Sequence, residues 1–85
     1  MQVSKQKHDM RYAIVIEQAK NNFSAYVPDL PGCIATGATI AEVEQQITEA
    51  IEFHIDGMRA DGGRVPLARS LVSYVDVDIE NSTGT

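Results

Sequence analysis

Pro28-Asp-Leu-Pro-Gly-Cys33-Ile-Ala-Thr-Gly-Ala-Thr39-Ile-Ala-Glu42 is the stretch on which the fold turns. Pro28 and Pro31 each lack an amide donor, so a strand cannot run through them, and Gly32 permits a left-handed turn. Past the turn, Cys33 to Ala38 reads as a short strand of small residues, with Gly37 near its end. At Thr39 the apolar period changes from 2 to 3.6. Thr39-Ile-Ala-Glu42 is a capping box: the threonine hydroxyl accepts from the Glu42 amide, and the Glu42 carboxylate reaches back to the Thr39 amide. Val43, Ile47, Ala50, Ile51, His54 and Met58 then share one helical stripe, with Glu44, Gln45, Glu49, Glu52, Asp56 and Arg59 opposite. Asp61-Gly62-Gly63 ends a helix of about twenty residues, because glycine takes a left-handed cap at little cost.

Working outward, Arg11 to Glu17 is β-branched and aromatic, with Tyr12, Ile14 and Ile16 on one face and Ala13 and Val15 on the other. Ala19 to Asn22 supplies a turn, and Phe23 to Val27 completes a hairpin. Downstream, Arg64 to Ser70 is a loop containing Pro66. Leu71 to Ile79 alternates, with Val75, Val77 and Ile79 facing one way and Tyr74, Asp76 and Asp78 the other. The expected order is β-β-β-α-β, an α+β fold whose antiparallel-rich sheet carries one helix on one face. Residues 1–9 read as a solvated tail, 10–79 as the domain and 80–85 as a polar tail. Met10, immediately before the first patterned segment, is a second place where translation can start.

The chain has 85 residues, room for one small domain and not for separate catalytic and binding domains. A domain of this size hides only about 60–65% of the surface of its unfolded chain. With 6% aromatics and no Trp the core is thin, which favours a partner. Seven basic against twelve acidic residues give a net charge of −5, so the surface repels nucleic acid and anionic membranes and attracts basic partners. Cys33 is the single cysteine, which rules out an internal disulfide framework and makes a reducing, cytoplasmic compartment the expectation. No apolar run approaches the ~20 residues of a bilayer span.

Tyr26-Val-Pro-Asp-Leu-Pro-Gly-Cys33, then Gly37-Ala-Thr39 and the helix Glu42-Val-Glu-Gln-Gln-Ile-Thr-Glu-Ala-Ile51, resembles the HicB-like antitoxin family, in which a PDLPGC run, a G-x-T step and an EA-rich helix occur in this order. Gly63-Arg-Val-Pro66 is similar to the segment that precedes the family's last strand. The match covers about Met10 to Ile79. It assigns motif and structural positions to Pro28, Pro31, Gly32, Cys33, Gly37, Thr39 and Glu42, with Val43 where the family often has alanine. The resemblance implies a partial ribonuclease-H-like topology and the antitoxin half of a type II toxin–antitoxin pair. It also implies a partner, a small basic HicA-like ribonuclease with a double-stranded-RNA-binding-domain-like fold and a catalytic histidine. Self-association into a homo-oligomer is a further implication. Many relatives add a helix-turn-helix or ribbon-helix-helix segment for promoter binding; six residues after Ile79 cannot build one, so direct nucleic-acid binding is not expected.

With such a partner, Glu17, Asp29, Leu30, Asp76 and Asp78 become the candidate contacts: carboxylates to meet RNA-binding cations, and an apolar patch for affinity. The acidic side of the helix can steer a basic partner or simply be solvated. No catalytic residue, cofactor or metal is assigned. Cys33 and His54 would be the one nucleophile–base pair, but a cysteine among small apolar residues in an acidic protein reads as a buried hydrophobe. His54 lies in the apolar stripe, and His8 in the tail. Asp76 and Asp78, about 6.5–7 Å apart on one strand face, could hold Mg²⁺ in a degenerate nuclease, but only Glu17 is offered by a neighbouring strand. A solitary regulatory or structural oligomer without a toxin is the other alternative.

Overall fold

A computed structural model describes residues 10–80. The tail expected over residues 1–9, and residues 81–85 of the one expected after Ile79, lie outside the described residues. Three short strands, β1 (Val15–Gln18), β2 (Phe23–Tyr26) and β3 (Ile34–Gly37), are followed by one helix, α1 (Ile40–Ala60). The strands form an antiparallel sheet in the order β1-β2-β3. The α+β class and the single helix on an antiparallel sheet stand as expected.

The register explains which residues meet. Ile16, Ala25 and Ala35 align in one cross-strand row on the helix side, while Val15, Tyr26 and Ile34 align in a row on the outer side. Ala25 is buried with Val27, Leu30, Cys33, Val43 and Ile47, and Tyr12, Ile14, Ile16, Ile51 and Met58 pack around this core. The helix therefore buries the stripe that its period assigns to it. It lies over β3 and β2 and scarcely reaches β1. Gly37 marks the closest approach: a Cβ there would stand 2.6 Å from the Val43 amide nitrogen and 2.9 Å from its Cα.

The helix start differs in one detail. Thr39 is the N-cap, and its Oγ1 accepts from the Glu42 amide at 3.0 Å. The Glu42 carboxylate, however, accepts from the Ala38 amide at 2.9 Å, not from that of Thr39. Thr39 is fully extended (φ −132°, ψ 167°), so the chain enters with the preceding amide, not its own, turned to the first turn. At the other end Gly62 takes a positive φ of 77° and donates to the Arg59 carbonyl, while Gly63 donates to that of Met58.

The fourth strand expected over Leu71–Ile79 is not part of the sheet: among the described residues no strand follows α1. Alternating β-branched residues favour extended backbone, but a strand exists only where a neighbour accepts its amides. Here the segment is anchored at its root, and among the described residues β1 pairs with β2 alone.

Candidate functional site

The loop between β2 and β3 is a closed turn. Val27 donates to the Cys33 carbonyl, Leu30 to that of Val27 and Cys33 to that of Leu30, with Gly32 at φ 87°. This closure drives Leu30 into the core, where it is 0% exposed. Leu30 was expected at a partner surface; the turn instead makes it a plug under the loop, and it offers no contact to a partner. Pro28 and Pro31 remain on the surface and, with Pro66, Leu67 and Arg69, line a shallow groove of about 400 Å³.

Asp29, another candidate contact, is occupied within the chain. One carboxylate oxygen accepts from the Arg69 and Ser70 amides at 2.8 Å each, and the other from the Ser70 hydroxyl at 2.8 Å. The Ser70 amide foremost, then its hydroxyl, hold the Asp29 carboxyl below the usual carboxylate range. Beside it the Tyr12 hydroxyl donates to the Pro66 carbonyl at 2.6 Å. Burial, reinforced by the Asp29 charge and opposed by Arg59, raises the Tyr12 phenol above its ordinary value. Together these bonds clasp residues 66–70 to the turn and to the segment before β1. A separation of some 40 residues hides this clasp from any local reading.

Glu17, Asp76 and Asp78 are exposed and open to a partner. Glu17 lies on the outer face of the sheet, where its row continues through Ser24 and Thr36. Asp76 and Asp78 lie in the unpaired segment after the clasp. Among the described residues no three His, Cys, Asp or Glu side chains come close enough to share a metal ion. Cys33 is buried, and loss of solvent pushes its thiol up, away from the nucleophilic thiolate. His54 is half-buried on α1. No helix of the described residues is long and apolar enough to cross a membrane.

Residue-by-residue reading missed the outer face itself. Val15, Tyr26 and Ile34 form an apolar row across all three strands, Tyr26 and Ile34 exposed. The pairing register of the two hairpins was the available signal, since it sets these three residues opposite one another. Phe53, 81% exposed on the polar side of α1, was also missed.

Comparison with known proteins agrees with this architecture. The family model for the HicB-like antitoxin of bacterial toxin–antitoxin systems matches residues 12–83. A 14.9 kDa protein from the rep-hol intergenic region of Haemophilus phage HP1 is 37% identical over 67 residues, covering 79% of this chain and 50% of the relative. A UPF0150 protein of Synechocystis sp. is 36% identical over 72 residues, covering 84% of this chain and 91% of the relative. Among solved structures, a chain of the HicA3 and HicB3 toxin-antitoxin complex superimposes with a TM-score of 0.58 at 33% identity. That superposition covers 65% of this chain and 64% of the other. The chain thus spans about half the length of the phage relative and under two thirds of the structural neighbour. It belongs to the HicB-like antitoxin family of bacterial toxin–antitoxin systems.

Proposed function

We propose that this chain is a non-catalytic binding module that neutralises a small basic HicA-like ribonuclease toxin by covering its active site. The carrying observation is the uncovered outer face of the sheet, where the Val15–Tyr26–Ile34 row lies beside the row that begins at Glu17. An aligned aromatic and aliphatic row supplies desolvated contact area, and a net charge of −5 suits a partner that grips RNA with cations. Family membership and the likeness to a chain of a toxin–antitoxin complex support the same reading. Asp76 and Asp78 supply further carboxylates for that partner. The cytoplasm, where an RNA-cleaving toxin acts, is the proposed compartment.

The test mixes the purified chain with a small basic HicA-like ribonuclease and follows RNA cleavage. The chain is expected to bind and to suppress cleavage, and Tyr26→Glu with Ile34→Glu to weaken binding by about tenfold or more. Unchanged cleavage, or binding indifferent to that double substitution, refutes the reading.

A further inference from the structure

The last described segment parts from the domain soon after the clasp. Asp29 holds Arg69 and Ser70, and Tyr12 holds Pro66. Leu71 and Val72 still border a cleft of about 370 Å³ with Arg11, Tyr12 and Ala13. Every residue from Ser73 to Glu80 is exposed, Tyr74 at 91% and Val75 at 81%. Among the described residues none of these eight takes part in a hydrogen bond. They form an arm that leaves the domain from a fixed root.

The arm has two unlike sides. Extended backbone sends alternate side chains to opposite sides, so Val75, Val77 and Ile79 share one and Tyr74, Asp76, Asp78 and Glu80 the other. From Leu71 to Glu80 the chain carries those three carboxylates and no cation. The sheet edge at β1, beside a groove of about 600 Å³ bordered by α1, has room for a strand, but charge opposes this arm there in either orientation. With the apolar side turned to the helix, the carboxylates fall on the outer face, which carries Glu17. With the apolar side turned out, they fall in the groove, whose lining sets Glu44 and Glu52 against one cation, Arg11. Like charges on facing strands are destabilising. The objection is the same for this chain's own β1 and for that of a second copy, and a cationic partner removes it.

We propose that residues 73–80 are a strap that closes on the basic toxin itself. Val75, Val77 and Ile79 lose their water against the toxin's surface, and Asp76, Asp78 and Glu80 pair with the cations that grip RNA. The inference rests on the toxin-binding function proposed above and adds to it a second contact, made by a segment that orders only on binding. Eight extended residues reach roughly 26 Å at about 3.3 Å each, enough to lie along one side of a small partner. Because the clasp fixes its root, the strap searches a limited volume and loses less freedom on closing than a tail hung free. Asp29 is then a positioning residue for the strap and makes no contact of its own with the toxin.

The test follows amide exchange and methyl NOEs of the isotopically labelled full wild-type chain, alone and with an unlabelled small basic HicA-like ribonuclease. Alone, the amides of residues 73–80 are expected to exchange almost as fast as in an unfolded chain. With the ribonuclease they slow by about tenfold or more, and the Val75, Val77 and Ile79 methyls give intermolecular NOEs. Asp76→Asn with Asp78→Asn is expected to weaken binding about tenfold, chiefly through slower association. Asp29→Asn, which frees the root, weakens it about threefold, while Phe53→Ser, on the polar side of α1, leaves it unchanged. The wild-type measurement decides the matter even if a variant fails to fold. A ribonuclease that binds while the arm exchanges as before overturns the strap and leaves toxin binding standing, whereas no binding at all overturns both. Arm amides already protected in the free chain, by its own β1 or by a second copy's, overturn the strap, as does binding indifferent to the Asp76 and Asp78 substitutions.

Discussion

Gly37 carries the tightest steric constraint among the glycines of the fold. Its missing side chain lets β3 approach the first turn of α1, and the nearest atoms are backbone, which cannot swing aside as a side chain would. Gly37→Ala is expected to lower stability by about 2–4 kcal/mol, read from urea unfolding of the full chain. Asp29 acts through charge. Its folded-state acidity is enhanced by the amides and hydroxyl it accepts, so the clasp is complete above the unfolded carboxyl value of about 3.9. The stabilisation is lost as the pH falls through the lower folded-state value. Amide exchange at Arg69 and Ser70, compared at equal intrinsic rate, is expected to remain protected at neutral pH and to lose protection in acid. In Asp29→Asn protection is reduced at both, and a protected pair of amides in that variant would remove the clasp from the account.

Within α1 two apolar residues six positions apart have opposite fates. Ile47 is buried at the centre of the core, while Phe53 stands in solvent. Ile47→Ala is expected to cost about 2–5 kcal/mol, and Phe53→Ala to fall within about 0.5 kcal/mol. Equal effects would mean that the helix lies on another face. This element was the most legible part of the chain, because a 3.6-residue stripe, a cap at Thr39 and a stop at Gly62 are all local. The hairpins were nearly as legible, although pairing begins at Val15 and not at Arg11, since only the later residues find a partner in β2. Leu71–Ile79 was legible as a strand former and not as a strand. Alternation records how a segment will pair when it pairs, and carries no information about whether a neighbour is present in the same chain.

At the scale of the whole molecule, charge and exposed apolar surface act together. If a basic toxin is the partner, the net charge of −5 acts mainly on encounter. Association is then expected to slow as ionic strength rises from low salt to physiological salt, where the screening length is about 8 Å, with dissociation changing little. Stopped-flow mixing measures both, and a salt-insensitive association rate would separate the acidic surface from the binding mechanism. The candidate contacts divide along the same line between local and distant information. Glu17, Asp76 and Asp78 are exposed, as polar positions on alternating segments should be, whereas Leu30 and Asp29 went to the core and the clasp. By itself the sequence determined the hairpins, the helix and its buried stripe, the Pro-Gly turn and the family, because each rests on periodicity, caps or a contiguous motif. Only the tertiary structure decided that Leu30 is a plug, that Asp29 is satisfied by residues some 40 positions away, that Val15, Tyr26 and Ile34 form one row, and that the last apolar segment stands unpaired. Those outcomes depend on which distant atoms close around a residue, and distance along the chain does not encode that.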